Sequence, residues 1–201
     1  MGRILLGILI GVLVVPLVVV GWFWFGHVPV AVADAPLPHE RSLVAIPLHS
    51  RIHREMIKKV PILVDEGDLV AGAHVYREHC AMCHGFHGKP ADMGTHIYPA
   101  APQLWEKHGE AVGVSDDAPG ETYWKVVNGI RLTGMPAYKG VLNDTEIWQV
   151  SVLLANADKP LPPATIDLLH GDPNPNNSAV SDQNVADALS ATEKGAASKK
   201  K

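Results

Sequence analysis

Tyr76-Arg77-Glu78-His79-Cys80-Ala81-Met82-Cys83-His84-Gly85 contains both cysteines of the chain, separated by two residues, with a histidine directly after the second. C-x-x-C-H is the attachment signature of a c-type haem. One helical turn sets the two thiols where they can add to the two vinyl groups of a porphyrin, and the adjacent imidazole is then the proximal iron ligand. Two other readings use part of the motif. A thioredoxin-like redox pair needs only the two cysteines, and a structural zinc site needs two further Cys or His ligands at paired spacing. The histidine and the lack of a second cysteine pair count against both.

Around this motif the residues resemble a known family. Gly72-x-x-x-Tyr76-x-x-x-Cys80-x-x-Cys83-His84-Gly85 is similar to the start of a class I cytochrome c domain. The resemblance continues through Pro102-Gln103-Leu104 and Gly134-Met135-Pro136-Ala137-Tyr138 to an aromatic-bearing last helix around Trp148. It extends to the membrane-anchored mono-haem cytochromes related to subunit III of cbb3 oxidases. It implies an all-α class I cytochrome c fold around one covalent haem c; the transmembrane helix expected before it lies outside the resemblance and is read from its own residues. It also implies that a proline carbonyl, at Pro102 or alternatively Pro99, accepts the Nδ1–H of His84, and that Leu104 packs on the porphyrin edge. In this fold the first and last helices cross closely at the glycine corresponding to Gly72.

Local patterns predict the elements that carry these residues. Asp65 is a candidate N-cap for a helix opening Glu66-Gly67-Asp68, with acids in its first turn. Leu69, Ala73, Tyr76 and Cys80 recur at helical spacing, so this helix buries that stripe and delivers the first thiol. Gly72 inside it is costly unless a neighbour needs the space. The partner expected there is a helix led by Asn143-Asp144-Thr145-Glu146, with a capping box and a Leu142–Ile147 staple. Trp148, Ser151 and Ala155 are its predicted crossing face. Gly85 to Gly94 reads as loop. Glu121 to Asn128 reads as a helix stopped by Gly129, and its Tyr123 and Trp124 are expected near the haem or in the plain core.

The second axial ligand decides the chemistry, because a haem held by histidine alone is open to oxygen or peroxide. Met135 lies 51 residues past His84, between Gly134 and Pro136. The proline stiffens the loop and the glycine permits close backbone approach. A thioether favours Fe(II) and raises the potential, which suits electron transfer. Met93, His96 and His108 are the competing ligands. The expected function is therefore an electron carrier, with His84 and Met135 as metal ligands and Cys80, Cys83, Pro102 and Leu104 as further haem-binding residues. A peroxidase-like enzyme or a gas sensor, each with a displaceable sixth ligand, is the alternative.

Ile4 to Phe25 is apolar or glycine apart from Pro16, long enough to cross a bilayer as a helix. Trp22, Phe23, Trp24 and Phe25 mark its far end as an interfacial belt, and Arg3 places the N-terminus in the cytoplasm. A cleaved signal peptide ending near Ala31-Val32-Ala33 is the rival reading, but such apolar regions are shorter, about 7–15 residues. Either reading exports the rest of the chain, to the side where the family receives its haem. The expected organisation is an anchor (1–26), a proline-punctuated linker with a short helix over Ser50 to Val60 (27–64), a cytochrome c domain (65–160) and a disordered tail (161–201). His49 and His53 in the linker stand one helical turn apart and read as a solvated face. From Glu66 to Lys159 there are 7 Lys+Arg against 12 Asp+Glu, so the redox partner proteins meet a neutral or acidic surface. Without a basic run beside aromatics, nucleic acid is not an expected partner.

Overall fold

A computed structural model of the chain describes residues 1–170. Those residues form eight helices and one minimal β-pair, and they divide into two compact units, one over Met1–Arg51 and one from Ile52 onward. Residues 171–201, most of the expected tail (161–201), lie outside the described residues.

The first unit opens with α1, Gly2–Phe25, in which no side chain is buried. By length and composition it is able to cross a membrane, a test that a signal sequence also passes. Helix α2, Glu40–Glu55, begins ten residues earlier than the expected helix and ends at Glu55 rather than Val60. Its start is set by Glu40, whose carboxylate accepts from the Leu37 N–H at 2.8 Å. Pro47 lies inside it, forgoing one bond to the preceding turn.

The second unit takes in residues 52–64, which the sequence assigned to the linker. Ile52 is 1% exposed. The Trp124 indole donates to the Glu55 carboxylate at 2.9 Å, and a β-carbon on Gly120 would strike the carbonyl oxygen of Ile57. The linker's last turn is thus part of the packed domain.

Helix α3, Glu66–His79, is capped by Asp65, whose side chain accepts from the Asp68 N–H at 2.9 Å. It buries Gly72, Ala73, Val75 and Tyr76. The short helices α4, Ala81–His84, and α5, Asp92–Thr95, follow, then the antiparallel pair β1, Lys107–His108, and β2, Ala111–Val112. Helix α6, Pro119–Asn128, starts two residues before the expected Glu121, because proline fits the first helical turn, where its missing N–H leaves nothing unpaired. Gly129 ends it at φ +64.

Helix α7, Asp144–Leu154, has the full capping box: Asn143 accepts from the Glu146 N–H at 3.0 Å and Glu146 from the Asn143 N–H at 2.8 Å. Leu142 and Ile147, at the staple positions, are both buried. Helices α3 and α7 pack against each other, with α6 on α7. At the crossing, a β-carbon on Gly72 would collide with the Gln149 carbonyl oxygen and approach Leu153 Cβ to 3.2 Å. The backbone at Gln149, with Leu153 one turn on, therefore meets the glycine most closely, and Trp148 and Ser151 of the expected crossing face are buried. Trp148 stacks on Tyr123, with centroids 4.2 Å apart. A final helix, α8, Pro163–His170, packs on α3 and buries Thr165, Leu168 and Leu169. The folded domain therefore runs past residue 160. Three buried positions within eight residues are too short a pattern to stand out beside Pro160, Pro162 and Pro163.

Candidate haem-binding site

The site is built on the junction of α3 and α4. At Cys80 the chain leaves one helix and enters the next: the Cys80 carbonyl accepts from the Cys83 N–H at 3.1 Å and from the His84 N–H at 2.9 Å. One hydrogen-bonded turn thus holds both cysteines and the histidine, and both thiols are free. Burial pushes the Cys80 thiol up to about 12, with the Cys83 sulfur adding to the effect. A redox-active dithiol needs the opposite, a depressed pKa that supplies thiolate near neutrality. Among the described residues, no group of three or more His, Cys, Asp and Glu is placed to hold a metal. The arrangement thus departs from both the redox-pair and the zinc readings of the cysteines.

His84 is oriented from behind. Its Nδ1 lies 2.7 Å from the Pro102 carbonyl oxygen, and since that oxygen can only accept, Nδ1 carries the proton. The acceptor is Pro102 and not Pro99. This bond fixes the tautomer and leaves Nε2 unprotonated, the state in which imidazole binds a metal. Burial lowers the pKa of His84, and the bond to Pro102 opposes that shift. Leu104 is buried, and its N–H donates to the His84 carbonyl at 3.2 Å, so the 102–104 segment grips the histidine at two points.

Two residues that the sequence did not place among the haem-binding groups, Gln103 and Tyr76, complete the support. The Gln103 amide donates to the carbonyls of Cys83 and Ala101, both at 3.2 Å, and its oxygen accepts from the Ala91 N–H at 2.7 Å. It ties the attachment turn to the loop that follows. The Tyr76 hydroxyl reaches the Gly85 carbonyl at 2.7 Å, and its ring meets Trp105 edge-on at 5.5 Å. Gly94 of α5 lies so close to the Cys83 carbonyl that no β-carbon fits between them.

Met135 lies on the loop after α6, half-buried against the apolar core that also receives Cys80, Tyr138 and Leu104. Its N–H donates to Thr133 Oγ1 at 3.1 Å, and its carbonyl accepts from the Ile130 N–H at 3.3 Å. A β-carbon on Gly129 would come within 2.7 Å of the Pro136 carbonyl carbon and the Ala137 nitrogen, so the methionine loop folds directly over that glycine. Tyr138 then latches the loop to the attachment helix, its hydroxyl donating to the His79 carbonyl at 2.6 Å, one residue before Cys80. Burial raises the pKa of this phenol, as does the proximity of the two cysteine sulfurs. The competing candidates Met93, His96 and His108 are all exposed, and His96 Nδ1 lies 2.9 Å from the Asp92 carbonyl.

Paired thiols on one turn, an imidazole with a free Nε2 and a nearby thioether form a donor set that fits a covalently held porphyrin. The aromatic pair Tyr123 and Trp124, expected near the haem or in the plain core, has partners in the core. The first stacks on Trp148 and bonds Asp144 at 3.1 Å, while the second bonds Glu55.

No curated protein matches this chain. Residues 67–154 match the family described as cytochrome C oxidase, cbb3-type, subunit III. This stretch is similar to the cbb3-type c-type cytochromes, and a cytochrome c domain of this kind supports a haem-binding electron-transfer protein with covalently bound haem c.

Proposed function

We propose that the chain is an exported, membrane-tethered carrier of single electrons, with Cys80 and Cys83 as thioether links and His84 and Met135 as axial ligands. Haem iron supplies reversible one-electron exchange between Fe(III) and Fe(II). The protein's task is to hold both axial groups so firmly that no substrate reaches the metal. The observation that carries this reading is the Tyr138 bond to the His79 carbonyl at 2.6 Å, which ties the methionine loop to the helix bearing the histidine. Pro102 fixes the imidazole, and Leu104 provides apolar cover. A His/Met pair raises the potential and closes the site.

The tether in this reading is α1. Its exposed leucine, isoleucine and valine side chains would be untenable in water but are at ease in lipid. The haem domain then lies on the far side of the cytoplasmic membrane, in the periplasm or outside. Its acidic balance, 7 Lys+Arg against 12 Asp+Glu between Glu66 and Lys159, favours redox partners with a neutral or basic docking face. Those partners are free proteins or neighbouring subunits of a respiratory or dehydrogenase complex.

Spectroscopy of Met135 variants tests the ligand pair. The oxidised protein is expected to show the weak near-infrared band of iron–thioether ligation. Met135→Ala should abolish the band, lower the potential and open the iron to CO. Met135→His should keep the iron six-coordinate at a lower potential, since imidazole favours Fe(III) more than thioether does. An unchanged spectrum in Met135→Ala would transfer the role to Met93, His96 or His108. Ready CO binding and peroxide turnover by the wild type would replace the carrier with an enzyme or sensor.

A further inference from the structure

Outside the haem site, two histidines far apart in sequence meet at the surface. His170 Nε2 lies 3.0 Å from His87 Nδ1, with the rings at 90° and their centroids 4.8 Å apart. Both side chains are exposed. Each is carried by a fixed piece of backbone. His87 sits in a tight turn closed by two bonds, Phe86 N–H to Lys89 carbonyl at 2.8 Å and Lys89 N–H to Phe86 carbonyl at 2.9 Å. His170 ends α8, which is anchored by the buried Leu168 and Leu169. Without a metal the pair is accounted for by one N–H···N hydrogen bond, which in water contributes about 1 kcal/mol or less.

The spacing suits something stronger. Metal–imidazole bonds of about 2.0–2.1 Å place two nitrogens 3.0 Å apart at an angle of about 94°. That is the cis angle of tetragonal or octahedral coordination, whereas a tetrahedral ion would need a separation of about 3.3–3.4 Å. Imidazole nitrogens in tetragonal geometry suit Cu²⁺ and Ni²⁺. With each ring's proton on its other nitrogen, His87 Nδ1 and His170 Nε2 both present lone pairs, and the net charge is unchanged. Among the described residues no third His, Cys, Asp or Glu joins them, so water fills the remaining positions at this exposed place.

We infer that His87 and His170 form a surface site for a divalent ion of the Cu²⁺/Ni²⁺ class, bridging the turn after the haem-attachment motif to the end of α8. The ion would pin α8 to that turn, because a ligand that binds only the folded arrangement stabilises it. This site is independent of the haem ligands and of the carrier function proposed above.

Equilibrium dialysis against Ni²⁺ tests it, using the full-length holoprotein in detergent without an affinity tag and counting nickel per haem iron. The wild type should bind one more Ni²⁺ at micromolar free metal than either His87→Ala or His170→Ala. Its thermal midpoint should rise with Ni²⁺, and that rise should vanish in His87→Ala, a change on an exposed turn that leaves the α8 packing intact. The double variant His49→Ala/His53→Ala controls for the histidine pair one turn apart on α2 and should retain the ion. Unchanged binding in His87→Ala, or loss of the ion in the His49/His53 variant, would overturn the assignment.

Discussion

At the residue scale, the site depends on backbone carbonyls whose partners are single side-chain atoms. Pro102 faces the His84 ring, His79 takes the Tyr138 hydroxyl, and Cys83 takes the Gln103 amide. Tyr138→Phe keeps the ring and deletes one bond, at a cost of about 1 kcal/mol. The iron–methionine band should survive in that variant, but CO should bind the reduced protein faster, because the methionine loop is released from the attachment helix. Stopped-flow CO binding reads this, and a rate equal to the wild type would remove Tyr138 from the positioning of Met135. Gly129→Ala is expected to do more harm. It combines a positive φ with an extended ψ, a conformation essentially confined to glycine and costing about 1–3 kcal/mol otherwise, with a collision against the Pro136–Ala137 backbone. Its near-infrared band should weaken together with its denaturation midpoint.

At the element scale, the α3–α7 crossing and the docking of α8 carry the domain. The Asn143 cap on α7 is expected to contribute about 1 kcal/mol, read as a shift of the denaturant midpoint in Asn143→Ala with haem content unchanged. Removing everything from Pro163 onward tests the last helix. Leu168 and Leu169 are buried against the core, and burial of a leucine is worth about 1.5–3 kcal/mol. The truncated protein should therefore unfold at distinctly lower denaturant than one truncated after His170. Equal midpoints for the two would mean that α8 is as dispensable as its proline-rich approach suggests.

At the scale of the whole molecule, the question is how an exposed apolar helix and an acidic haem domain share one chain. If α1 is an anchor, mass spectrometry of the mature protein should find residues 4–25 present, and extraction should require detergent. A mature terminus near Asp34 would identify the segment as a signal peptide and make the carrier soluble. Association with a redox partner should weaken with salt if the acidic face of the domain guides docking.

Covalent spacing and helix ends were legible in the sequence because they are decided by neighbours along the chain. Cys80, Cys83 and His84 share one turn by adjacency alone, Asp65 and Asn143 cap the helices that immediately follow them, and Gly129 stops the helix before it. The apolar run of α1 was equally plain. What only the tertiary structure decided are meetings between distant residues. These are the choice of Pro102 over Pro99, the Gln103 clamp, the Tyr138 latch, the close approach of Gly72 to the Gln149 backbone, and the pairing of His87 with His170. The same holds for residues 52–57 and 163–170, which read as linker and tail yet pack on the domain. Short segments between prolines carry too few apolar positions to show a period, and whether they are buried is settled by the surface that the longer helices offer them.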